Sequence, residues 1–226
     1  MKNILFILFL SFIYMKTQGQ KSPENQLGTW YMYNGSHKLS ENYSIKTMAH
    51  FRYYEMASAF QQEIYRLGIN YTFSPKTNIT GGLSYATADV VYDTSSINLY
   101  EFRFYEDLNL KWNWNKFTTK HRFRLEQRFI HKNLITNQFQ HWLRYDLNIS
   151  YPLSKTWSAF VFNEIFLNLN NSKRFNQNWI GTGLLYKWNE NIKLKMGYFQ
   201  IKTPNIVLKR AQLGILINTD FSKQAI

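Results

Sequence analysis

Apolar and polar residues alternate along most of the chain, and the pattern is clearest from Leu99 to Ile130. One set of alternate positions is mainly apolar, and the other is mainly charged or polar. A repeat of two residues is typical of β-strands, because successive side chains of a strand point to opposite faces. The polar residues 113–116 divide the stretch, which therefore predicts a long β-hairpin.

The two faces of this hairpin differ in kind. The apolar face consists of Tyr100, Phe102, Phe104, Leu108, Leu110, Trp112, His121, Phe123, Leu125 and Phe129. The other face carries a dense row of charges. Such a contrast is typical of a transmembrane β-hairpin, which has lipid on one side and a polar lumen on the other. A large soluble sandwich or a lipocalin-like barrel uses the same period, so the hairpin alone leaves both folds open.

Similar segments, separated by turn residues, recur along the rest of the chain. They are predicted at residues 27–36, 43–54, 61–73, 79–88, 138–151, 156–167 and 179–188, from residue 192 onward, and at 207–219. With the hairpin the count is eleven. Because single-chain bacterial barrels have even strand numbers, we expect ten to twelve strands, with the first segment as the weakest member. Short turns alternate with longer connections, as in outer-membrane barrels, whose short turns are periplasmic.

The first twenty residues predict an export signal. Lys2 is followed by a nearly continuous apolar run from Ile4 to Tyr14 and by a short polar end that contains Gly19. This order is typical of a Sec-type signal peptide, and the run is too short to span a bilayer comfortably. We therefore expect residues 1–20 to be removed and residues 21–226 to form the barrel. No later apolar run approaches the length of a transmembrane helix, so a membrane location requires a barrel.

Composition narrows the classes of function. The chain has 226 residues, of which 18% are aromatic, with no cysteine and a formal net charge of +13. The aromatic share suits a barrel with aromatic girdles, and the lack of cysteine excludes disulfides and thiolate metal sites. Basic residues are spread over many strands rather than gathered in one patch, which argues against nucleic acid as a partner. The expected partners are outer-membrane lipid and, through a loose C-terminal signal ending at Phe221, the outer-membrane assembly machinery.

Charged residues on the polar faces of four neighbouring predicted strands form the candidate site. They are Glu101, Arg103, Asp107, Lys111, Arg122, Arg124, Glu126, Arg128, Arg144, Asp146 and Glu164. Inside a narrow barrel such groups must pair or stay hydrated, because an isolated buried charge is very costly. We favour a structural salt-bridge network that fills the lumen. The alternative is a basic pocket or passage for an anionic solute, because basic residues outnumber acidic ones on this face.

No catalytic or metal-binding motif stands out. None of the five histidines has a serine two residues later, and no two aspartates are adjacent, so the patterns expected of outer-membrane phospholipases and omptin proteases are missing. No HExxH, CxxC or glycine-rich phosphate loop is present. We predict no cofactor and no metal, and we favour a non-enzymatic role. A membrane-embedded, lipase-like hydrolase and a soluble secreted β-protein that binds an apolar or anionic ligand are the alternatives.

Four segments carry a resemblance to a known family. They are LGTWYMYNGSHKLSENYSI at 27–45, FRLEQRF at 123–129, WLRYDL at 142–147 and FNEIFLN at 162–168. Together they resemble the DUF2490 family, exported proteins common in Bacteroidota and other Gram-negative bacteria, over about residues 26–221. The N-terminal signal likewise resembles secretory signals of the Bacteroidota. The family's function is unknown, so the resemblance implies no catalytic residues. It supports an all-β, antiparallel, up-and-down transmembrane barrel of about 10–12 strands in the outer membrane.

Overall fold

The computed structural model describes residues 22–23, 25–89, 92, 99–132 and 136–222. The predicted signal peptide, residues 1–20, lies outside the described residues. The described part forms β1 (Leu27–Lys38), β2 (Tyr43–Tyr53), β3 (Phe60–Ser74), β4 (Thr77–Ala88), β5 (Leu99–Trp114), β6 (Phe117–Lys132), β7 (Thr136–Pro152), β8 (Trp157–Asn168), β9 (Phe175–Lys187), β10 (Ile192–Lys202) and β11 (Val207–Asp220). Within these residues, no helix is long and apolar enough to cross a membrane.

The strands follow one another around a single closed barrel. The prediction of an all-β, up-and-down barrel with ten to twelve strands is therefore confirmed. One pair departs from it, because β1 and β11 close the ring in parallel, with Leu27 opposite Lys209 and Lys38 opposite Asp220. The expectation of an even strand number is wrong, whereas the other ten strand pairs are antiparallel as predicted. An up-and-down sheet with an odd number of strands brings its first and last strands together pointing the same way.

The first strand is a full member of this barrel rather than its weakest candidate. It pairs along its length with β11 on one side and with β2 on the other. Side chains also stabilise the parallel β1–β11 pair, which we call the seam. His37 on β1 lies within hydrogen-bond distance of Thr219 on β11 (2.8 Å) and of Thr47 on β2 (2.9 Å). The closing strand pair is thus tied to β2 by polar side chains as well as by the backbone.

The two ends of the barrel differ in their connections. The turns after β3 and β5 contain two residues each, whereas residues 89–98 separate β4 from β5. We call the end reached by the odd-numbered strands the turn end and the opposite one the loop end. The β5–β6 turn is shorter than the predicted 113–116, because the strands continue to Trp114 and resume at Phe117. Its first residue, Asn115, has a φ of 52°, a conformation that asparagine tolerates better than most residues.

The outer face of the barrel is an almost continuous apolar belt. Large side chains on it are substantially exposed, among them Leu67 at 57%, Ile69 at 65% and Val161 at 51%. Soluble monomers rarely expose contiguous apolar patches larger than a few hundred Å². Glu106 interrupts the belt, where it accepts a hydrogen bond from the Gln127 amide at 3.2 Å. The sequence pattern therefore placed the apolar residues outside, where an ordinary soluble fold would hide them.

The lumen is filled on one side by an apolar cluster. Its buried members are Trp30, Met32, Phe166, Trp179, Phe199, Ile201 and Leu208. Strand β8 explains why one predicted segment is apolar on both faces: Phe160 and Phe166 are 2% and 3% exposed on the inside, while Val161 lies outside. The inward residues of β8 pack on this cluster, and its outward residues belong to the belt.

Candidate functional site

The structure places the predicted charged residues on the inner faces of β5, β6, β7 and β8. Most of them are nearly inaccessible to solvent, and all except Lys111 take part in an ion pair. We call the ion-paired members of this set, together with Arg66 of β3, the lumen charge network. Its members meet because strands that alternate in direction turn every second residue toward the same narrow interior.

Glu126 is the central carboxylate of the network and is 1% exposed. Its Oε1 lies 2.8 Å from Arg144 Nη1, 3.2 Å from Arg66 Nη2 and 3.7 Å from Arg124 Nη1. Arg103 Nη1 approaches its Oε2 at 4.0 Å. One buried carboxylate therefore joins guanidinium groups from β3, β5, β6 and β7. Multiple donors are what such a group needs, because a buried charge must be paired and hydrogen-bonded.

Glu101 forms the part of the network nearer the loop end. Arg103 Nη2 donates to its Oε2 at 2.6 Å, and Arg128 Nη2 donates to the same oxygen at 2.9 Å. Arg128 Nε donates to the other oxygen, so the Arg128 contact is bidentate. Planar guanidinium groups suit carboxylates in this two-point geometry. Glu101 is thus bound by one arginine of its own strand, β5, and by one arginine of β6.

Three further acidic residues extend the network toward the turn end. Glu164 accepts hydrogen bonds from Arg144 Nη2 and Arg122 Nη2, both at 2.7 Å. Arg122 also lies 3.3 Å from Asp146. A second bidentate pair joins Arg124 to Asp107, at 2.5 and 2.6 Å. Each inward carboxylate of β5 to β8 is therefore already engaged by arginine.

Sequence reasoning missed Arg66 and included Lys111 in a network that it does not join. Arg66 lies on the polar face of the third predicted segment, so the sequence did predict that its side chain points into the lumen. Its partner Glu126 is 60 residues away and three strands farther round the barrel, and only the closed ring brings the two together. Lys111 has no ion pair within the described part of the chain, and it lines the cavity described below.

Aromatic rings cover the guanidinium groups of the network and of its neighbour Arg52. Arg52 lies 3.6 Å from the Trp30 ring centroid, Arg128 lies 3.7 Å from that of Trp142, and Arg144 lies 4.2 Å from that of Phe166. Such stacking stabilises cations through the ring quadrupole. The apolar cluster and the lumen charge network thus form one packed layer, which we call the lumen plug.

A cavity of about 700 Å³ lies between the lumen plug and the turn end. One wall is polar and includes Asn78, Asn109, Asn148 and several lysines, and the opposite wall includes Phe160, Phe162, Leu185 and Leu216. Asp107, Arg122, Arg124, Arg144 and Glu164 line its inner end. The network therefore forms the floor of a two-sided vestibule.

The histidines are not arranged as a catalytic centre. His50 faces the lumen, where its Nε2 lies 3.3 Å from Asn34 Oδ1. His121 contacts the Tyr145 hydroxyl at 2.8 Å, and the His141 ring lies 4.6 Å from that of Phe139. In the residues that the structure describes, no group of three or more His, Cys, Asp or Glu side chains could hold a metal ion.

Comparison with known proteins gives a family but no characterised relative. No curated protein matches the chain. A family model described as "Protein of unknown function (DUF2490)" matches residues 27–207. The match covers β1 to β10 entirely and reaches the first residue of β11, and it includes the whole lumen charge network. The chain therefore belongs to the DUF2490 family.

Proposed function

We propose that this chain is a β-barrel of the bacterial outer membrane whose lumen is closed by the plug. In this role it acts as a structural or ligand-binding protein rather than as an open pore. The observation that carries the membrane location is the apolar belt, and the observation that carries closure is the burial of the lumen charge network.

The belt has the composition expected of a lipid-facing surface. Aromatic side chains gather near the turn end, where Trp157 and Tyr186 pack at 4.8 Å and Trp114 stacks on Phe117 at 6.4 Å. Girdles of this kind sit at the membrane–water interface of outer-membrane barrels. In the soluble, secreted alternative the same side chains would be wetted around the barrel, at a free-energy cost proportional to their area. The belt therefore favours lipid.

The positions of the buried side chains support closure. Glu126 lies on β6, and Phe199 and Arg210 lie on the neighbouring strands β10 and β11 on the other side of the ring; each is at most 1% exposed. Side chains that line an open aqueous channel would remain accessible to water. The ion pairs are also what a closed lumen needs, because removing charges from water is tolerated only when they are paired.

Cell fractionation tests the membrane location. The full-length gene is expressed in a Gram-negative host, and the envelope is washed with carbonate. We expect the protein in the outer-membrane fraction, with a gel mobility that changes on boiling, as a stable barrel requires. Recovery as a soluble periplasmic protein would refute the membrane part of the proposal.

Planar-bilayer recording tests closure. The purified barrel is expected to give no steady conductance under conditions in which a general porin, reconstituted in parallel, conducts. A matched variant, Arg66→Ala with Arg144→Ala, removes two long side chains from the plug and is expected to produce intermittent openings. Steady, ohmic channels from the unmodified protein would show that the lumen is open and would refute closure.

A further inference from the structure

The side chains that line the cavity at the turn end carry an excess of positive charge. Lysines line this region from three sides of the ring: Lys46 from β2, Lys111 from β5, Lys120 from β6 and Lys195 from β10. We call this region the lysine vestibule. Among the described residues, none of these lysines forms an ion pair. Lys46 donates to the Ser36 hydroxyl at 2.7 Å, and Lys195 lies 4.7 Å from the Phe160 ring centroid.

The lysines of the vestibule repel one another. Lys111 and Lys120 are directly opposite in the β5–β6 register. Lys120 also experiences the charges of Lys193 and Lys46. Like charges placed opposite each other destabilise a sheet, and the nearby carboxylates are already engaged by arginine. Asp146 offsets part of the repulsion at Lys120 and Lys195, but its carboxylate is already paired with Arg122. A bound anion would relieve this repulsion.

Apart from Lys195, the side chains that line the cavity from β8, β9, β11 and β1 are mainly apolar. They include Met32, Phe160, Phe162, Leu185 and Leu216. Small-molecule sites typically combine such apolar walls with a few polar groups, in cavities of roughly 300–1,000 Å³. The volume of about 700 Å³ is within that range. The vestibule therefore offers two different surfaces to one ligand, a cationic one and an apolar one.

Unpaired hydrogen-bond donors at the inner end of the vestibule are a separate sign of a ligand. Gln212 is 3% exposed, Trp30 is 3% exposed and Trp179 is 8% exposed, and all three line the cavity. Their side-chain nitrogens, Nε2 of Gln212 and Nε1 of each tryptophan, have no hydrogen-bond partner among the described residues. Buried donors are normally paired. Acceptor atoms of a molecule in the cavity would supply the missing partners.

We propose that the lysine vestibule binds an amphipathic organic anion. Its carboxylate or phosphate group lies among the lysines, and its apolar body lies against the wall formed by Phe160, Phe162 and Leu216. This inference rests on the proposed function, because the closed lumen plug is the floor of the site. It goes beyond that proposal by naming the place and the class of the ligand.

Calorimetric titration of the full-length protein in a non-ionic detergent tests the inference with three probes. The probes are 2-naphthoate, the neutral 2-naphthamide and inorganic phosphate. We expect saturable 1:1 binding of naphthoate that weakens as salt is added, because salt screens the lysine charges. Naphthamide and phosphate should each bind much more weakly. Equal binding of naphthamide would refute the cationic contribution, equal binding of phosphate would refute the apolar one, and no binding of any probe would refute the site.

Variants locate the site. Lys120→Gln should weaken naphthoate binding about fivefold, the effect of one charge near the anion in a wet site, and Lys120→Arg should restore it. Lys76→Gln is the matched control, because this exposed lysine belongs to a turn at the same end of the barrel. Leu216→Asn should weaken naphthoate but not phosphate. Equal effects of Lys120→Gln and Lys76→Gln would refute the assignment to the vestibule, provided both variants keep their heat-modifiable mobility.

The outcome is separable from that of the proposed function. A barrel that is found in the outer membrane and does not conduct, but binds no naphthoate, would refute only the vestibule site. A barrel that binds naphthoate and also conducts would refute closure and leave the binding site in place.

Discussion

Replacing Glu126 with glutamine tests whether the lumen charge network stabilises the barrel. The substitution keeps the shape of the side chain and removes the charge that Arg144 and Arg66 contact at 2.8 and 3.2 Å. Arg144 retains Glu164 as a partner. Arg66 has no other carboxylate partner among the described residues, so the variant leaves it as an unpaired charge inside the lumen.

The size of the effect follows from burial and from the remaining partners. Removing one member of a buried ion pair costs about 3–5 kcal/mol, because the other charge stays buried without compensation. Glu126 is 1% exposed, so solvent does not screen the loss. Only Arg66 is left wholly unpaired, and the glutamine oxygen still accepts a hydrogen bond. We therefore expect the free energy of unfolding to fall by about 3 kcal/mol, the lower end of that range.

Equilibrium unfolding in guanidinium chloride, followed by tryptophan fluorescence of the detergent-solubilised barrel, measures this loss. Adding Arg66→Met to Glu126→Gln should recover about 1 kcal/mol, because the unpaired charge is removed with it. Glu190→Gln is the control: its carboxylate pairs with Lys187 on an exposed turn, and exposed pairs contribute little. A loss below about 1 kcal/mol for Glu126→Gln, or a further loss in the double variant, would contradict a buried, stabilising network.

Three further substitutions test other parts of the structure. Glu106→Leu should raise the unfolding free energy in lipid vesicles by about 1 kcal/mol, because a carboxylate in the belt opposes lipid contact; a decrease would contradict a lipid-facing belt. The chain lacks cysteine, so pairs of introduced cysteines can test the parallel seam. A short dimaleimide should join Tyr33→Cys to Ile215→Cys, which are opposite in the β1–β11 register, but should not join Tyr33→Cys to Lys209→Cys. The reverse result would contradict the parallel seam. Ala59→Gly should stabilise the barrel by about 1 kcal/mol in the same unfolding assay, because Ala59 has a φ of 51°; unchanged stability would show that this loop is unstrained.

The positions of the strands, and the residues that point to each face of the sheet, were predictable from the sequence. Alternation around Phe102 and Arg103 predicted which side chain is exposed on the belt and which is buried in the lumen, and the structure places them there at 37% and 5% exposure. This information is local, because neighbouring residues of a strand point to opposite faces whatever the strand pairs with. The eleven segments were visible for the same reason.

Pairing direction at the seam was not visible. The preference for an even strand number came from other barrels, and nothing in the alternation of β1 or β11 states which strand lies beside it or which way it runs. His37 and Thr219 are 182 positions apart in the sequence, yet their side chains lie 2.8 Å apart. The two residues meet because β1 pairs with β11 to complete the ring, and that pairing depends on the geometry of the whole sheet.

For the side chains inside the barrel, too, the sequence predicted direction but not contacts. The residues that face inward, including the charges of β5 to β8, were predictable from the alternation along each strand. Which of them meet depends on the assembled barrel: Arg66 reaches Glu126 across the lumen, Arg52 on β2 lies 5.6 Å from the ring centroid of Trp179 on β9, and lysines from three sides of the ring collect at the turn end. A period of two fixes the direction of a side chain relative to its own strand, whereas the distance between side chains of different strands depends on barrel diameter, tilt and register, which arise only when all the strands are assembled.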